Sequence, residues 1–222
     1  ARGLDADLAL DWRQGQAPNI RSRAPLTLAN LDVGVPVTEV RMGVDTDLDQ
    51  WCFEKISAQL LGGEVRAPGL RWPSSEWQPV VLTGIELNQL AALQNEAVVS
   101  LTGEVGGYIP LRLAADSVAV RDGRLANETP LSLALLPAAG TQAMAESNRA
   151  VSIALEALNP LRVERFSAQV DMADDGWLDA AVHIRGTNPQ RNGLPVVFNY
   201  THKENVLELL RSLRIGERIT DR

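Results

Sequence analysis

The stretch that decides the fold runs from Gly103 to Leu125 and reads GEVGGYIPLRLAADSVAVRDGRL. Apolar and polar residues alternate on both sides of Asp116-Ser117, which is typical of strands that bury one face. The glycines and Pro110, however, fall inside the first strand, where a compact sandwich would place side chains. Glycine permits sharp bends, and proline in a sheet fits an edge or a bulge. The stretch therefore predicts a strongly bent sheet.

The alternation continues toward the N-terminus. Leu4 to Leu10 reads as one strand, with leucine and alanine on one face and aspartate on the other. Near Thr38 the apolar frame shifts by one residue, which predicts a bulge or a turn. Gly62-Gly63 predicts a tight hairpin turn between two apolar runs.

Toward the C-terminus the same pattern predicts hairpins. Asp122-Gly123 is read as a hairpin turn, and Asp174-Asp175-Gly176 and Asn192-Gly193 separate three alternating runs. These turn residues favour a three-stranded antiparallel meander near the C-terminus.

Helical spacing occurs in three segments. Ile85–Asn95 and Thr141–Asn159 each carry apolar residues three or four positions apart. Lys203–Leu213 does so as well, with Thr201 as its expected cap. We expect these helices to lie across the sheet.

Composition bounds the function. The chain has 222 residues, of which 45% are hydrophobic and 22% charged, with a formal net charge of -7. This acidity argues against nucleic acid as a partner, because such binding usually needs a basic face. Cys52 is the single cysteine, so an internal disulfide and a cysteine-rich metal site are excluded. The sequence starts with ARGLDADLALDW and not with methionine, and we expect a segment of a longer protein.

Sequence motifs for catalysis are missing. The chain has no GxSxG, HExxH or phosphate-loop pattern, so we predict no enzyme, no metal and no cofactor. His183 and His202 could form a metal pair, but solvated surface histidines are the favoured interpretation. The aspartates around Asp174 are attributed to turn chemistry.

Two alternatives stay open on the residues alone. Trp51, Trp72 and Trp77 could form a membrane-interface belt, although packing within loops is favoured. The aliphatic faces of the strands could form a closed core or line a ligand, and periodicity does not distinguish these two.

A family resemblance separates them. Leu101–Leu125 resembles the YdbH family, in which a glycine-rich strand with P-L-R-L precedes V-x-V-x-D-G-R-L. Leu161–Arg222 is similar to the family's tail, and Leu60–Val65 (LLGGEV) resembles a turn of AsmA-like proteins. The resemblance implies a mainly β fold with a few helices. Its long, curved antiparallel sheet would form an open apolar trough, with helices at the mouth or end. Residues 1–222 would be a single C-terminal segment, with 1–95 and 96–222 as possible sub-units.

The resemblance also implies a function. Proteins of this kind carry phospholipids between the inner and outer membranes of Gram-negative bacteria along an apolar groove in the periplasm. An inner-membrane anchor would lie upstream, and this end would lie near the outer membrane, beside a small lipoprotein of the YnbE type. The alternative is an interaction module that docks a partner strand at the outer membrane and carries no lipid.

Two sets of residues follow as hypotheses. The first set shares alternating faces and is predicted to contact phospholipid acyl chains: Ile109, Leu111, Leu113, Val118, Val120, Phe166, Val170, Leu178, Val182 and Phe198. The second set forms the last strand of the meander and is predicted to accept a partner strand: Val196, Val197, Phe198, Asn199 and Tyr200.

Overall fold

The computed structural model describes residues 1–15, 17–32, 35–92, 99–135, 149, 156 and 159–209. Strands dominate these residues. They are β1 (Arg2–Asp5), β2 (Leu8–Asp11), β3 (Asn19–Ser22), β4 (Leu26–Asp32), β5 (Pro36–Thr46), β6 (Trp51–Leu60), β7 (Gly63–Trp72), β8 (Gln78–Glu86), β9 (Val99–Thr102), β10 (Glu104–Leu113), β11 (Val118–Asn127), β12 (Leu131–Leu135), β13 (Leu161–Met172), β14 (Trp177–Asn188) and β15 (Leu194–Asn205). A short helix, α1 (Leu87–Ala91), follows β8, and a 3-10 helix spans Pro189–Arg191.

All fifteen strands belong to one antiparallel sheet that is not closed into a barrel. The main path runs β1-β4-β5-β6-β7-β8-β10-β11-β13 and continues through β14 to β15. β12 and β9 extend the sheet beside the start of β13, and β2 joins through β3 to β5. The predicted fold class, a large open antiparallel sheet with few helices, is confirmed.

Tight turns connect paired strands at, or one residue from, two of the predicted positions. Leu61 and Gly62 have φ of 48° and 74° and connect β6 to β7. Two successive positive φ values match the twist of the flanking strands, which makes this turn favourable. The predicted meander is likewise confirmed, since β13, β14 and β15 pair in sequence across Asp174–Gly176 and Asn192-Gly193.

Bulges account for the shifts in apolar frame. The frame shift near Thr38 is a bulge, where Glu39 has φ of 52° and the β5–β6 register slips between Thr38 and Arg41. The predicted hairpin at Asp122-Gly123 is wrong, because both residues lie inside β11 at another register shift. Asp122 has φ of 52° and its N–H donates to Oδ1 of Asp171 at 2.8 Å. An Asp-Gly pair provides the same left-handed backbone for a bulge as for a hairpin turn.

Pro110 lies in a central strand, but at a position where the missing N–H of a proline disturbs the sheet least. Against β11 it falls within the register shift between Tyr108 and Leu111, as expected for a proline in a bulge. On the β8 side it is opposite Pro79, so the two residues that lack an N–H share one position of the ladder. The neighbouring Gly107 is required sterically, since a Cβ there would overlap the Arg124 carbonyl oxygen.

The helices are shorter than the sequence predicted. Of Ile85–Asn95, residues 85 and 86 complete β8, α1 covers Leu87–Ala91, and residues 93–95 are outside the described residues. The predicted helix Thr141–Asn159 also lies outside them, apart from residues 149, 156 and 159. The single strand predicted over Leu4 to Leu10 is two strands, β1 and β2.

The third predicted helix begins later than expected. Lys203 and Glu204 remain in β15, which pairs with β14 as far as Asn205 opposite Trp177, and helical residues start at 206. The cap is Asn205, not Thr201, because Oδ1 of Asn205 accepts the Glu208 N–H at 3.0 Å. Residues 210–213 lie outside the described residues.

Candidate lipid-facing surface

One face of the sheet carries an apolar row that crosses eleven strands. Residues directly opposite in an antiparallel ladder project from the same face. Successive ladder partners, with a packing contact between Val40 and Ala58, connect the row. The row is Leu4, Leu28, Val40, Ala58, Val65, Leu82, Gly107, Leu125, Ala168, Val182 and Tyr200. Ten steps of about 4.8 Å give a path of roughly 48 Å. We call this side of the sheet the apolar face and the other side the polar face.

The register places the ten residues predicted to contact lipid on this face. Leu111 is opposite Val120, Leu113 is opposite Val118, and Ile109 follows the same alternation. Farther along, Phe166 is opposite Ile184, which is opposite Phe198. Val170, Leu178 and Val182 continue the alternation on β13 and β14. Their common location follows from the structure, and their contact with lipid remains a prediction.

The apolar face also carries residues that the sequence prediction omitted. Val80 and Leu82 on β8 are opposite Ile109 and Gly107, so they lie beside the predicted set. Leu125, Ala168 and Met172 fill the positions between predicted residues on β11 and β13. Alternation along β13 was the signal that could have identified Ala168 and Met172.

Burial differs between the two ends of the apolar face. A closed core lies where α1, β12 and the start of β13 meet, with Leu161 and Val163 0% and 2% exposed. The buried members of this core are Ile85, Leu87, Val105, Leu131, Leu161 and Val163. Toward the other end, Leu111, Leu113, Val118 and Leu178 are only half-buried. Val120 and Val170, also in the predicted set, are buried at 9% and 8% exposure. The closed-core interpretation therefore holds at the first end, and a ligand lining at the other end remains a prediction.

On the polar face, behind the half-buried end of the apolar face, polar contacts hold the side chains of Trp77, Arg112 and Asp174 in place. Trp77 stacks between two guanidiniums, with Arg112 and Arg121 at 5.0 and 4.5 Å from its ring centroid. Arg112 donates to Asp174 at 2.6 Å, and the Ser117 hydroxyl donates to the same carboxylate at 2.9 Å. The hydrogen bond from Arg112 is the main cause that lowers the pKa of Asp174, followed by the one from Ser117.

The tryptophans serve as packing residues. Trp51 is opposite Trp72 across β6 and β7 and stacks on Phe53 with ring centroids 6.4 Å apart. The Trp72 indole N–H donates to the carbonyl of Ala114 at 2.9 Å and ties the β7–β8 loop to the β10–β11 hairpin. These contacts favour the loop-packing interpretation over a membrane-interface belt.

The predicted partner edge is the last strand, β15. Among the described residues, β15 pairs with β14 along its whole length and with no strand on its other side. Val197 and Tyr200 are 65% and 47% exposed. Phe198, Tyr200 and His202 form a ladder on the apolar face, and the Tyr200 hydroxyl is 2.9 Å from Nδ1 of His202. An unpaired edge of this kind can accept a further strand.

Nothing in the described geometry suggests a metal site. His183 lies on the polar face and His202 on the apolar face, so the two do not share a ligand position. The described residues contain no group of three or more histidine, cysteine, aspartate or glutamate side chains that could hold a metal ion. None of the described helices combines the length and apolarity needed to span a membrane.

Comparison with known proteins identifies the family. Residues 1–222 match the YdbH-like family model, described as "Intermembrane phospholipid transport protein YdbH". The chain belongs to the YdbH-like family. A YdbH relative in Escherichia coli (strain K12), named "Probable phospholipid transport protein YdbH", is 28% identical over 226 residues. The alignment covers 98% of this chain and 25% of the relative, so the chain spans about a quarter of that YdbH protein. No solved structure matches this member of the YdbH-like family.

Proposed function

We propose that the apolar face carries phospholipid acyl chains as part of a YdbH-like protein that moves phospholipids between the inner and outer membranes. In the apolar row across eleven strands, Leu28, Val40, Ala58 and Ala168 are buried. The observation that carries the proposal is that other members of the row, Val65, Leu82, Leu125 and Val182, are only half-buried. A closed core would bury these side chains fully, as it does at Leu161. The family's description as a phospholipid transport protein supports the same function.

The energetics of lipid movement require such a surface. Exposing an acyl chain of about 16 carbons to water costs on the order of 13 kcal/mol, at roughly 0.8 kcal/mol per methylene. A row of apolar side chains, one on each successive strand, gives the acyl chain a continuous apolar contact and removes most of that cost. A gap of several polar residues would restore part of the barrier.

The test is to purify the 222-residue chain without detergent and to analyse its organic extract by mass spectrometry. We expect phospholipids in stoichiometric amounts. A protein that is free of lipid, and that does not acquire lipid from vesicles, would contradict the proposal for this segment.

A second function is proposed for β15, because its outer edge is unpaired among the described residues. Strand addition there would extend the sheet by main-chain hydrogen bonds and would carry the apolar face onward. The proposed partner is a small outer-membrane lipoprotein of the YnbE type. We propose accordingly that the segment lies in the periplasm near the outer membrane, with an inner-membrane anchor upstream.

Site-specific photo-crosslinking in cells tests the edge. Probes replace Asn199 and Thr201 on β15, and a control probe replaces Asp5 on β1 at the opposite end of the sheet. Adducts with a small lipoprotein from the β15 probes alone support strand addition. Equal adducts at Asp5, or none from β15, would contradict strand addition. The proposal that the apolar face carries acyl chains is tested separately, by the mass spectrometry of the organic extract.

A further inference from the structure

The polar face of the last three strands carries two arginines directly opposite each other. We propose that Arg165 and Arg185 form a phosphate-binding site that takes the headgroup phosphate of an anionic phospholipid at a membrane surface. The site lies on the side of the sheet opposite the apolar face, so it is separate from the acyl-chain surface and does not depend on it.

The register brings the two guanidiniums together. Arg165 on β13 and Arg185 on β14 are ladder partners, and such partners have Cβ atoms about 4.5–5.5 Å apart. Like charges directly opposite in a sheet are unfavourable. Within the described part of the chain, arginines and a lysine elsewhere form ion pairs, but neither of these two does. A bound anion between them would turn this repulsion into attraction.

The surroundings of the pair complete a site. Both arginines line a surface hollow of about 230 Å³ together with Ser167, His183 and Asn199. Nδ1 of His183 lies 2.9 Å from Oδ1 of Asn199, and this hydrogen bond holds one wall of the hollow in place. The Ser167 hydroxyl adds a donor, and the planar fork of a guanidinium matches two phosphate oxygens at once.

Two aspartates of these strands lie away from this hollow, and one glutamate lies beside it. Asp179 pairs with Lys203 at 3.4 Å, and Asp171 accepts the Asp122 N–H, both toward the other end of the strands. Glu164 is adjacent in sequence to Arg165, within the β13 bulge, but forms no ion pair with either arginine in the described part of the chain. The chain has a net charge of -7, so the positive charge here is local.

An apolar residue in the same hollow favours lipid over an acidic peptide. Val197 on β15 is opposite Arg185, lines the hollow and is 65% exposed. At a membrane surface, phosphate groups adjoin the apolar region of the bilayer. The two guanidiniums would bind the phosphates, and the valine beside them would contact the apolar region. An acidic peptide would satisfy the arginines and leave this valine unexplained.

The experiment measures vesicle binding of the 222-residue chain by flotation at low salt. Vesicles contain either phosphatidylcholine alone or phosphatidylcholine with about a third of phosphatidylglycerol. Arg165→Gln with Arg185→Gln should lower the partition coefficient on the anionic vesicles roughly 25-fold, at about fivefold for each arginine near an anionic surface. Glu164→Gln should raise it severalfold. The control, Arg41→Gln with Arg71→Gln, makes the same charge change at two exposed arginines on β5 and β7 and should leave binding nearly unchanged.

Four results would overturn the proposal. Equal binding to both vesicle types would show that the net negative charge of an anionic phospholipid is not recognised, and an equal loss in the control would show a general charge effect. Chemical-shift changes at the two arginine Nε–H groups with inorganic phosphate, but no vesicle binding, would assign the site to free phosphate. Binding of an acidic peptide in preference to anionic vesicles would assign it to a protein partner. Phospholipid in the organic extract of the double variant should be unchanged, so a failed headgroup site and a failed acyl-chain surface give different results.

Discussion

A carboxylate placed at two positions of the apolar face should have two different effects. Val163 is 2% exposed in the closed core, whereas Val182 is half-buried on the open part of the face. Burial raises the pKa of a carboxyl by about 3–5 units when it has no partner, at about 1.36 kcal/mol per unit. Val163→Asp should therefore cost about 4–7 kcal/mol, comparable to the whole stability of a typical domain.

Val182→Asp should instead leave a folded protein. The carboxylate at position 182 can remain hydrated on the open part of the face, and a polar group there lowers the free energy of unfolding by about 1–3 kcal/mol. The acyl chain, however, would have to move away from the charge. Displacing two methylenes into water costs about 1.6 kcal/mol, which is roughly a tenfold loss of bound lipid.

Urea unfolding by circular dichroism and mass spectrometry of organic extracts measure both effects in the same preparations. Ala181→Asp is the matched control, because Ala181 is the exposed neighbour of Val182 on the polar face and should change neither quantity appreciably. Unfolding of Val182→Asp to the same extent as Val163→Asp would refute the distinction between an open and a closed part of the face.

Three other substitutions test local features. Arg112→Gln should raise the pKa of Asp174 toward its ordinary value, as read from the carboxyl ¹³C shift, while Arg121→Gln should not. The lowered pKa of Asp174 stabilises the fold at pH values above the carboxyl's ordinary pKa, and this contribution is lost as the pH falls through the lowered value. The Arg112 variant should therefore lose this dependence of stability on acidic pH. Gly107→Ala should lower the urea midpoint strongly and Gly43→Ala little, because a Cβ overlaps the Arg124 carbonyl oxygen at the first and makes only ordinary contacts, from 3.5 Å outward, at the second. Asn205→Ala should cost about 1 kcal/mol through loss of the cap to Glu208, and an unchanged midpoint would show that the cap is not formed.

Alternation was sufficient to predict the strands of the C-terminal meander and which of their side chains share a face. The run from Phe166 to Met172 and its partner from Leu178 to Ile184 could be assigned because side-chain direction in a strand has a period of two. The turn between β6 and β7 could be predicted from its glycines, although it lies at Leu61-Gly62 and not at the predicted Gly62-Gly63.

Other features could not be predicted because one local pattern permits two structures. Asp122-Gly123 suits both a hairpin turn and a bulge, and only the pairing of β11 with β13 selects the bulge. The apolar stripe after Thr201 suits both a strand and a helix, and the ladder with β14 extends the strand to Asn205. The phosphate-site arginines were not singled out, because their opposition depends on the exact register between β13 and β14, which alternation alone does not give.

The central claim is that acyl chains contact the apolar face and not the polar face. A photo-crosslinking amino acid at Ile109 or at Tyr108 tests it, because these neighbours on β10 project to opposite faces. After irradiation in cells, intact-protein mass spectrometry should show adducts of phospholipid mass at Ile109 and none at Tyr108. Adducts of equal yield at both positions, or none at Ile109, would contradict the claim.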